Sequence, residues 1–196
     1  MMQLRHAFVA AALFVVAGGS VPASAQVAQG EYASRRASLA ASVDSGVVVA
    51  FGAVEPVNFW PTFQQHASFL YLTGFEEPDA VYVMVKRDGR VAETLYVPPA
   101  DARLERWVGN RTAPDEVSRV TGLPGRLLAE FRPAVDSLVA GGLPLYTISD
   151  VQTYDYARQD SLTRGKAFAT DVARRGPVTM SSLDTTLAKL RATKSQ

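Results

Sequence analysis

The stretch of sequence that decides the fold is AVYVMVKRDGRVAETLYV, residues 80–97. Residues 80–86 alternate in the manner of a half-buried strand, and residues 91–97 are a second run with high strand propensity. Between the two runs lies Asp88-Gly89, the strongest short-range signal for a two-residue β-hairpin. This stretch therefore predicts two antiparallel strands joined by a tight turn.

Outward from the hairpin, extended and helical patterns alternate along the chain. Residues 47–51 are a continuous apolar run, which is typical of a strand buried on both faces. Further strands are predicted over residues 68–73, 145–148 and, as a strand or turn, 178–180. Helices are predicted over residues 31–43, 101–108, 114–120, 127–139, 154–175 and 183–191. This interleaving predicts an α/β fold, with a mixed β-sheet flanked by helices.

The first 25 residues have the order of a secretory signal peptide. Arg5 precedes an apolar run over residues 7–17, and the small-residue triplet Ala23-Ser24-Ala25 follows as a cleavage site. A helix that spans a membrane needs roughly 20 apolar residues, which is more than this run offers. We therefore expect an exported protein, periplasmic or secreted, with residues 1–25 removed; an uncleaved amino-terminal anchor is the alternative.

The composition after the signal peptide limits the classes of partner. The remaining 171 residues suit one domain with a hydrophobic core, and they carry 19 basic and 19 acidic residues, since only Arg5 is lost. A balanced surface without a basic run gives no electrostatic reason to expect nucleic acid or membrane as a partner. Because the chain has no cysteine, neither a disulfide framework nor a catalytic thiolate is available.

The supply of histidine limits the catalytic chemistry. His6 lies in the signal peptide, so His66 is the one imidazole of the predicted mature chain. A catalytic zinc site usually takes two or three histidines, and a Ser-His-Asp triad would depend on His66 alone. We expect His66 to cap or hydrogen-bond the start of the strand at 68–73, with a catalytic base as the alternative. The sequence therefore predicts no catalytic residue and no metal ligand in this chain.

Two other polar motifs have structural as well as functional interpretations. Glu76 and Glu77 could be paired carboxylates for acid–base chemistry or for a hard metal ion. Adjacent residues before Pro78 point apart, however, so we expect a solvated turn. The triplet Asn110-Arg111-Thr112 matches the N-glycosylation acceptor pattern, which chance also produces.

Trp107 is the most informative of the candidate residues. Asp101 and Glu105 lie one helical turn apart, and Trp107 follows directly beyond them. One interpretation is a buried core tryptophan. The other is an aromatic side chain presented at an interface, where tryptophan is enriched.

Several of these segments together resemble the amino-terminal domain of Xaa-Pro aminopeptidases (aminopeptidase P). The resemblance rests on Arg35-Arg36 with the helix and strand that follow, on SFLYLTGFEEPDA at residues 68–80, and on the Trp107 motif. It extends in order over nearly all of residues 26–190, the predicted domain. Residues 191–196 look like the start of the linker that, in the family, leads into a catalytic domain, and that domain is missing from this sequence.

The resemblance implies a fold and a function. The fold is the ribonuclease H-like α/β arrangement, and the function is to assemble dimers or tetramers and to lend a wall to the active site of a neighbouring subunit. Trp107 matches the family's tryptophan at that substrate-pocket edge. The family's catalytic domain has the pita-bread fold, binds two metal ions, usually manganese, and removes the first residue of peptides with proline at position two. A standalone peptide-binding or oligomerisation module is the alternative.

Overall fold

A computed structural model describes residues 27–55, 63–148 and 161–193 of the chain, with only the backbone described at 161–163. The predicted signal peptide, residues 1–25, lies outside the described residues. So do positions 154–160 of the helix predicted over 154–175. The predicted domain boundaries at 25/26 and 190/191 stay predictions.

A six-stranded mixed sheet forms the centre of the described fold. Its order is β4-β3-β2-β1-β5-β6, with β1–β2 and β2–β3 antiparallel and the other three pairs parallel. The strands are β1 Gly46–Phe51, β2 Val81–Arg87, β3 Arg90–Val97, β4 Gly125–Leu127, β5 Leu145–Ile148 and β6 Met180–Ser182. Every residue of β1 is buried, as the apolar run predicts. The predicted α/β fold with a mixed sheet is confirmed.

Helices cover both faces of this sheet. In the described residues they are α1 Gln29–Ala41, α2 Ala67–Thr73, α3 Ala102–Val108, α4 Val117–Thr121, α5 Leu128–Ala140, α6 Ser161–Arg175 and α7 Asp184–Ala192. One face, here the α1–α2–α7 face, packs against Tyr82 and Met84 of β2. The other, the α5–α6 face, packs against Val81 and Val83. Alternate residues of β2 therefore enter two separate cores, as the two-residue period of a strand requires.

The hairpin between β2 and β3 forms as predicted. Asp88 and Gly89 both have positive φ angles, 53° and 72°, and Arg87 pairs with Arg90 across the turn. Two consecutive positive φ values are the requirement of a type I′ turn, whose twist matches that of the flanking strands. The Asp-Gly pair satisfies this requirement at little cost, because glycine and aspartate tolerate the left-handed region.

The strand predicted over residues 68–73 is wrong, because this segment is helix α2. Phe69 and Leu72 are buried and lie three positions apart, which is the spacing of one helical face. Gly74 ends the helix in the left-handed conformation with φ 64°, and its backbone N–H donates to the carbonyl of Leu70 at 2.9 Å. Aromatic and threonine residues suggest a strand here, but the glycine at the helix end decides the structure.

Two strands at the edges of the sheet differ from the sequence prediction. β4 was not predicted, and it pairs in parallel with the end of β3, from Leu95↔Gly125 to Val97↔Leu127. β6 begins at Met180 rather than ending there, and pairs in parallel with β5. Both are three residues long, so their conformation depends on the neighbouring strand more than on local propensity.

Candidate functional site

Trp107 lies on the outside of the molecule, on helix α3. Its side chain is 79% exposed, and the same helix exposes Leu104 at 42% and Val108 at 36%. These three positions follow the i, i+3, i+4 spacing, so they share one face of the helix. No residue of α3 is buried. The interpretation of Trp107 as a core residue is therefore wrong, and the aromatic ring is presented to the surroundings.

The amino-terminal end of α3 is fixed by Asp101. Its side-chain Oδ1 accepts hydrogen bonds from the backbone N–H groups of Arg103 at 2.8 Å and Leu104 at 3.3 Å. An aspartate at this N-cap position satisfies backbone donors that have no partner inside the helix. Asp101 is therefore the cap that precedes the helix. The helix begins at Ala102, one position later than predicted.

The carboxyl-terminal end of α3 is tied to the body of the fold through charged residues. The backbone N–H of Arg111 donates to Glu105 Oε1 at 3.4 Å. The Arg111 guanidinium forms an ion pair with the carboxylate of Glu55, a few residues beyond β1. These contacts hold the segment after the helix against the edge of the sheet where β1 ends.

Glu77 provides a second tie, which corrects the expectation of a solvated turn. Its carboxylate accepts from the backbone N–H of Thr112 at 3.0 Å and from the Thr112 hydroxyl. Glu76 beside it is exposed. The two acids therefore point apart as expected, but Glu77 is a structural anchor of the α3 segment because its carboxylate is paired with a loop 35 positions away.

Next to Glu77, the turn around Asp79 is held by partly buried polar contacts. Asp79 has a φ of 64°, and its backbone N–H donates to the carbonyl of Ala53 at 2.8 Å. Arg164 of α6 donates to the carbonyl of Gly52 at 3.1 Å, pairs with the Asp79 carboxylate at 3.8 Å and lies over the ring of Phe51. Burial lowers the pKa of Arg164, and the charge of Asp79 opposes that shift. Arg164, on a helix of the α5–α6 face, thus holds the turn that follows Glu77.

His66 lies at the start of α2 and is 3% exposed. Its backbone N–H donates to Gln65 Oε1 at 2.9 Å, and the same oxygen accepts from the backbone N–H of Ala53 at 2.7 Å. The expectation that His66 caps or hydrogen-bonds the start of a strand is wrong about the element, because the segment that follows is helix α2, with His66 at its N-cap position. His66 is a buried residue next to Gln65, whose side chain joins His66 to Ala53.

Over residues 27–55, 63–148 and 161–193, no three His, Cys, Asp or Glu side chains form a group that could hold a metal ion. The two manganese ions that the family resemblance implies therefore have no fitting ligand set in this part of the chain.

Within the described ranges, none of the helices is both long enough and apolar enough to cross a bilayer.

Solved structures place this fold in a known class. The structure of a putative aminopeptidase P from Bacillus anthracis superposes with a TM-score of 0.71 at 22% identity, over 85% of this chain and 41% of that chain. The aminopeptidase P from E. coli with the inhibitor Pro-Leu gives 0.67 at 25% identity, over 87% of this chain and 40% of that one. The class of protein that the mixed sheet and its helices define is the aminopeptidase P-type α/β domain.

The sequence identifies the family within that class. Residues 32–143 match the family described as aminopeptidase P, N-terminal domain, and the chain belongs to it. Rat Xaa-Pro aminopeptidase 3 is 35% identical over 131 residues, which is 58% of this chain and 26% of the relative. The Xaa-Pro aminopeptidase of Haemophilus influenzae is 26% identical over 93 residues, or 47% of this chain and 22% of the relative. The chain thus spans about a quarter of these curated relatives.

Proposed function

We propose that this chain is the amino-terminal, non-catalytic part of an exported, metal-dependent Xaa-Pro aminopeptidase. Membership of the family and the names of the relatives support this function. The small share of each relative that the chain spans supports a catalytic domain outside these 196 residues, in which two manganese ions would be bound. The substrates would be peptides with proline at position two.

The observation that carries the role of this domain is the exposure of Trp107. An isolated helix of seven residues is marginal in water, and helices in proteins gain most of their stability by packing an apolar face. α3 has an apolar face, Leu104, Trp107 and Val108, and in the described structure none of the three is buried, with Trp107 the most exposed. A helix that is capped at its start and tied to the fold after its end, while this face stays open, suits a surface that another subunit covers. We propose that Trp107 forms the substrate-pocket edge of a neighbouring subunit in a homo-oligomer.

The proposal of a catalytic partner domain can be tested on the gene. The reading frame that contains this chain is expressed in full and assayed on a peptide that begins Ala-Pro. We expect release of the first alanine, dependence on added manganese and loss of activity with a chelator. A reading frame without a second domain that supplies His, Asp and Glu ligands contradicts the proposal.

The role of Trp107 is tested in that protein with Trp107→Ala and, as a matched control, Val91→Ala. Val91 is also an exposed apolar residue, at 45%, but lies on β3 away from α3. We expect Trp107→Ala to lower kcat/KM on the Ala-Pro peptide by about tenfold or more, as the loss of an aromatic anchor at an interface does. Gel filtration separates a lost subunit contact from a lost substrate contact. If both variants keep full activity and assembly, Trp107 has no role at a neighbouring site.

Export is tested by expressing the gene with its first 25 residues and sequencing the amino terminus of the protein from the periplasm or medium. We expect the mature chain to begin at Gln26. An intact Met1 on protein recovered from the membrane fraction would support the uncleaved anchor in place of the signal peptide.

A further inference from the structure

We propose that Arg103 and Arg106, together with Trp107, form a carboxylate-binding face that makes the enzyme prefer peptides with a carboxylate beyond the proline. The inference rests on the proposed function, because it takes α3 to lie at the edge of a substrate pocket. It adds a chemical class of substrate and two specificity-determining residues to that function.

The placement of the two arginines follows from the geometry of α3. Arg103 lies four positions before Trp107 and three positions before Arg106. At about 100° per residue, Arg103 is therefore placed between Trp107 and Arg106 on the helix surface. Both arginines are exposed. Leu104 and Val108 flank the other side of Trp107. The exposed face of α3 therefore changes from apolar to positively charged across the tryptophan.

The positive charge of this face is not neutralised within the described parts of the chain. Neither Arg103 nor Arg106 has an ion-pair partner there. The two acids next to them are occupied otherwise: Asp101 caps the helix, and Glu105 accepts from the backbone N–H of Arg111. The Arg111 guanidinium pairs with Glu55. Among the described residues, Arg103 and Arg106 thus remain without an ion-pair partner beside the tryptophan.

The occupant of this face follows from the direction of a bound peptide. An aminopeptidase must hold the amino end of its substrate inside the pocket, so the remaining residues leave over the edge. A side chain at that edge meets the residues after the proline, which belong to the leaving product. Arginine binds carboxylates through paired N–H donors, more specifically than a point charge does. The matching group on the peptide is a glutamate or aspartate side chain or its terminal carboxylate.

The experiment measures kcat/KM for matched peptides on the full-length enzyme. Ala-Pro-Glu-Ala-amide and Ala-Pro-Ala-Glu-amide are compared with their glutamine counterparts, and Ala-Pro-Ala-Ala is compared as free acid and as amide. The first pairs report on side-chain carboxylates, and the last pair on the terminal carboxylate. We expect at least one carboxylate peptide to be preferred by about fivefold at low salt, the upper range for an exposed ion pair. The preference should shrink in about 0.5 M salt because exposed charges are screened.

The variant Arg103→Gln with Arg106→Gln is expected to bring that ratio close to one. The matched control, Arg90→Gln with Arg174→Gln, removes the same charge from two exposed arginines elsewhere and should keep the ratio. The inference is overturned if the kcat/KM ratio is near one in the wild-type enzyme, or if the preference is unchanged in the Arg103/Arg106 variant. Cleavage of the Ala-Pro peptides in either case still supports the proposed function. An enzyme that cleaves none of the peptides overturns both.

Discussion

The cores on the two faces of the sheet differ in the kind of side chain that they bury. On the α1–α2–α7 face, Arg36 is buried to 4% exposure and donates from Nε to Glu93 Oε1 at 2.9 Å and from Nη1 to the carbonyl of Leu72 at 3.0 Å. The hydroxyl of Tyr82 donates to the same Glu93 oxygen at 2.6 Å. Burial, and then the neighbouring Glu93, raise the pKa of Tyr82 well above its usual value, which keeps this hydroxyl a donor. This face therefore contains charge inside its core.

On the α5–α6 face, the ion pairs that join α5 to α6 lie outside an aromatic core. The ring of Phe131 lies 5.7 Å from that of Phe51, 5.8 Å from Tyr96 and 5.3 Å from Phe168. Above these rings, the side chains of Arg132 and Arg175 on α5 and α6 both pair with two half-exposed acids, Asp136 and Asp171.

The difference teaches what each kind of contact contributes. A buried charge without its partner is strongly destabilising, so the Arg36–Glu93 pair can be satisfied only when α1, α2 and β3 are correctly aligned. Aromatic packing contributes more to stability, because each buried ring removes a large apolar area from water. Exposed ion pairs contribute little of either. We therefore expect the largest losses of stability from the aromatic core, smaller ones from the buried charges and the smallest from the exposed ion pairs.

The largest effect is expected from Phe131→Ala. Removing a buried phenylalanine leaves a cavity under three rings, and we expect a loss of about 4 kcal/mol in the free energy of unfolding. Urea denaturation measures it, with Leu127→Ala as the control, because Leu127 is exposed at the neighbouring helix start. Equal losses in the two variants would show that the rings do not form a packed core.

The next effect is expected from Glu93→Ala. It leaves Arg36 buried without its counter-charge, and we expect a loss of about 3 kcal/mol. The control is Glu130→Ala, whose pair with Arg126 at 2.8 Å is exposed on both sides. The double variant Arg36→Met with Glu93→Leu should be more stable than Glu93→Ala alone, since no charge is then stranded. If Glu93→Ala costs no more than Glu130→Ala, the pair is solvated and the contrast between the faces fails.

A smaller effect is expected from Arg132→Gln. This residue pairs with Asp136 at 2.8 Å and lies over the ring of Phe168 at 5.0 Å, but it is partly exposed. We expect a loss of about 1 kcal/mol, which high salt should reduce further. Urea midpoints in low and high salt measure it. A loss as large as that of Glu93→Ala would place these charges inside the core.

The smallest effect depends on pH and concerns Asp171. Desolvation alone would raise its pKa, but the hydrogen bonds and charges of Arg132 and Arg175 hold the pKa below its usual value. The ionised carboxylate therefore adds stability above its unfolded pKa of about 3.9, and this contribution is lost as the pH falls through the lower folded value. In Asp171→Asn, urea midpoints between pH 6 and the acid limit should fall less steeply than in the wild type. An unchanged slope would mean that the pairs are not formed in solution.

Features that depend on neighbouring residues were predictable from the sequence. The Asp88-Gly89 turn fixes its own conformation, and a strand as apolar as β1 has no stable place except inside a sheet. Residues 68–73 are helical against the prediction because four consecutive apolar and aromatic residues, 69–72, fit the period of a strand as well as that of a helix. The overlooked signal was Gly74, whose left-handed conformation ends a helix.

Features that depend on distant residues could not be predicted from the sequence. β4 is a strand only because the end of β3 lies beside it, and nothing in Gly125–Leu127 itself indicates this. Trp107 stands out by its residue type, but its exposure depends on the contacts that hold the segment after α3 to distant parts of the chain. One of these, the contact of Glu77 with Thr112, joins positions 35 residues apart and has no local sequence signal.

The pairing of β1 sets an order of events on the way to this structure. Its antiparallel neighbour β2 follows within the same half of the chain, whereas Val47 meets Leu145 of β5 only 98 positions later. Contacts that close such a long loop form late. Until then, the backbone N–H and C=O groups of β1 that face β5 have no strand to pair with, and the segment, GVVVAF, has no charged residue. In the nascent chain, β1 is therefore open to pairing with other chains until β5 has been made.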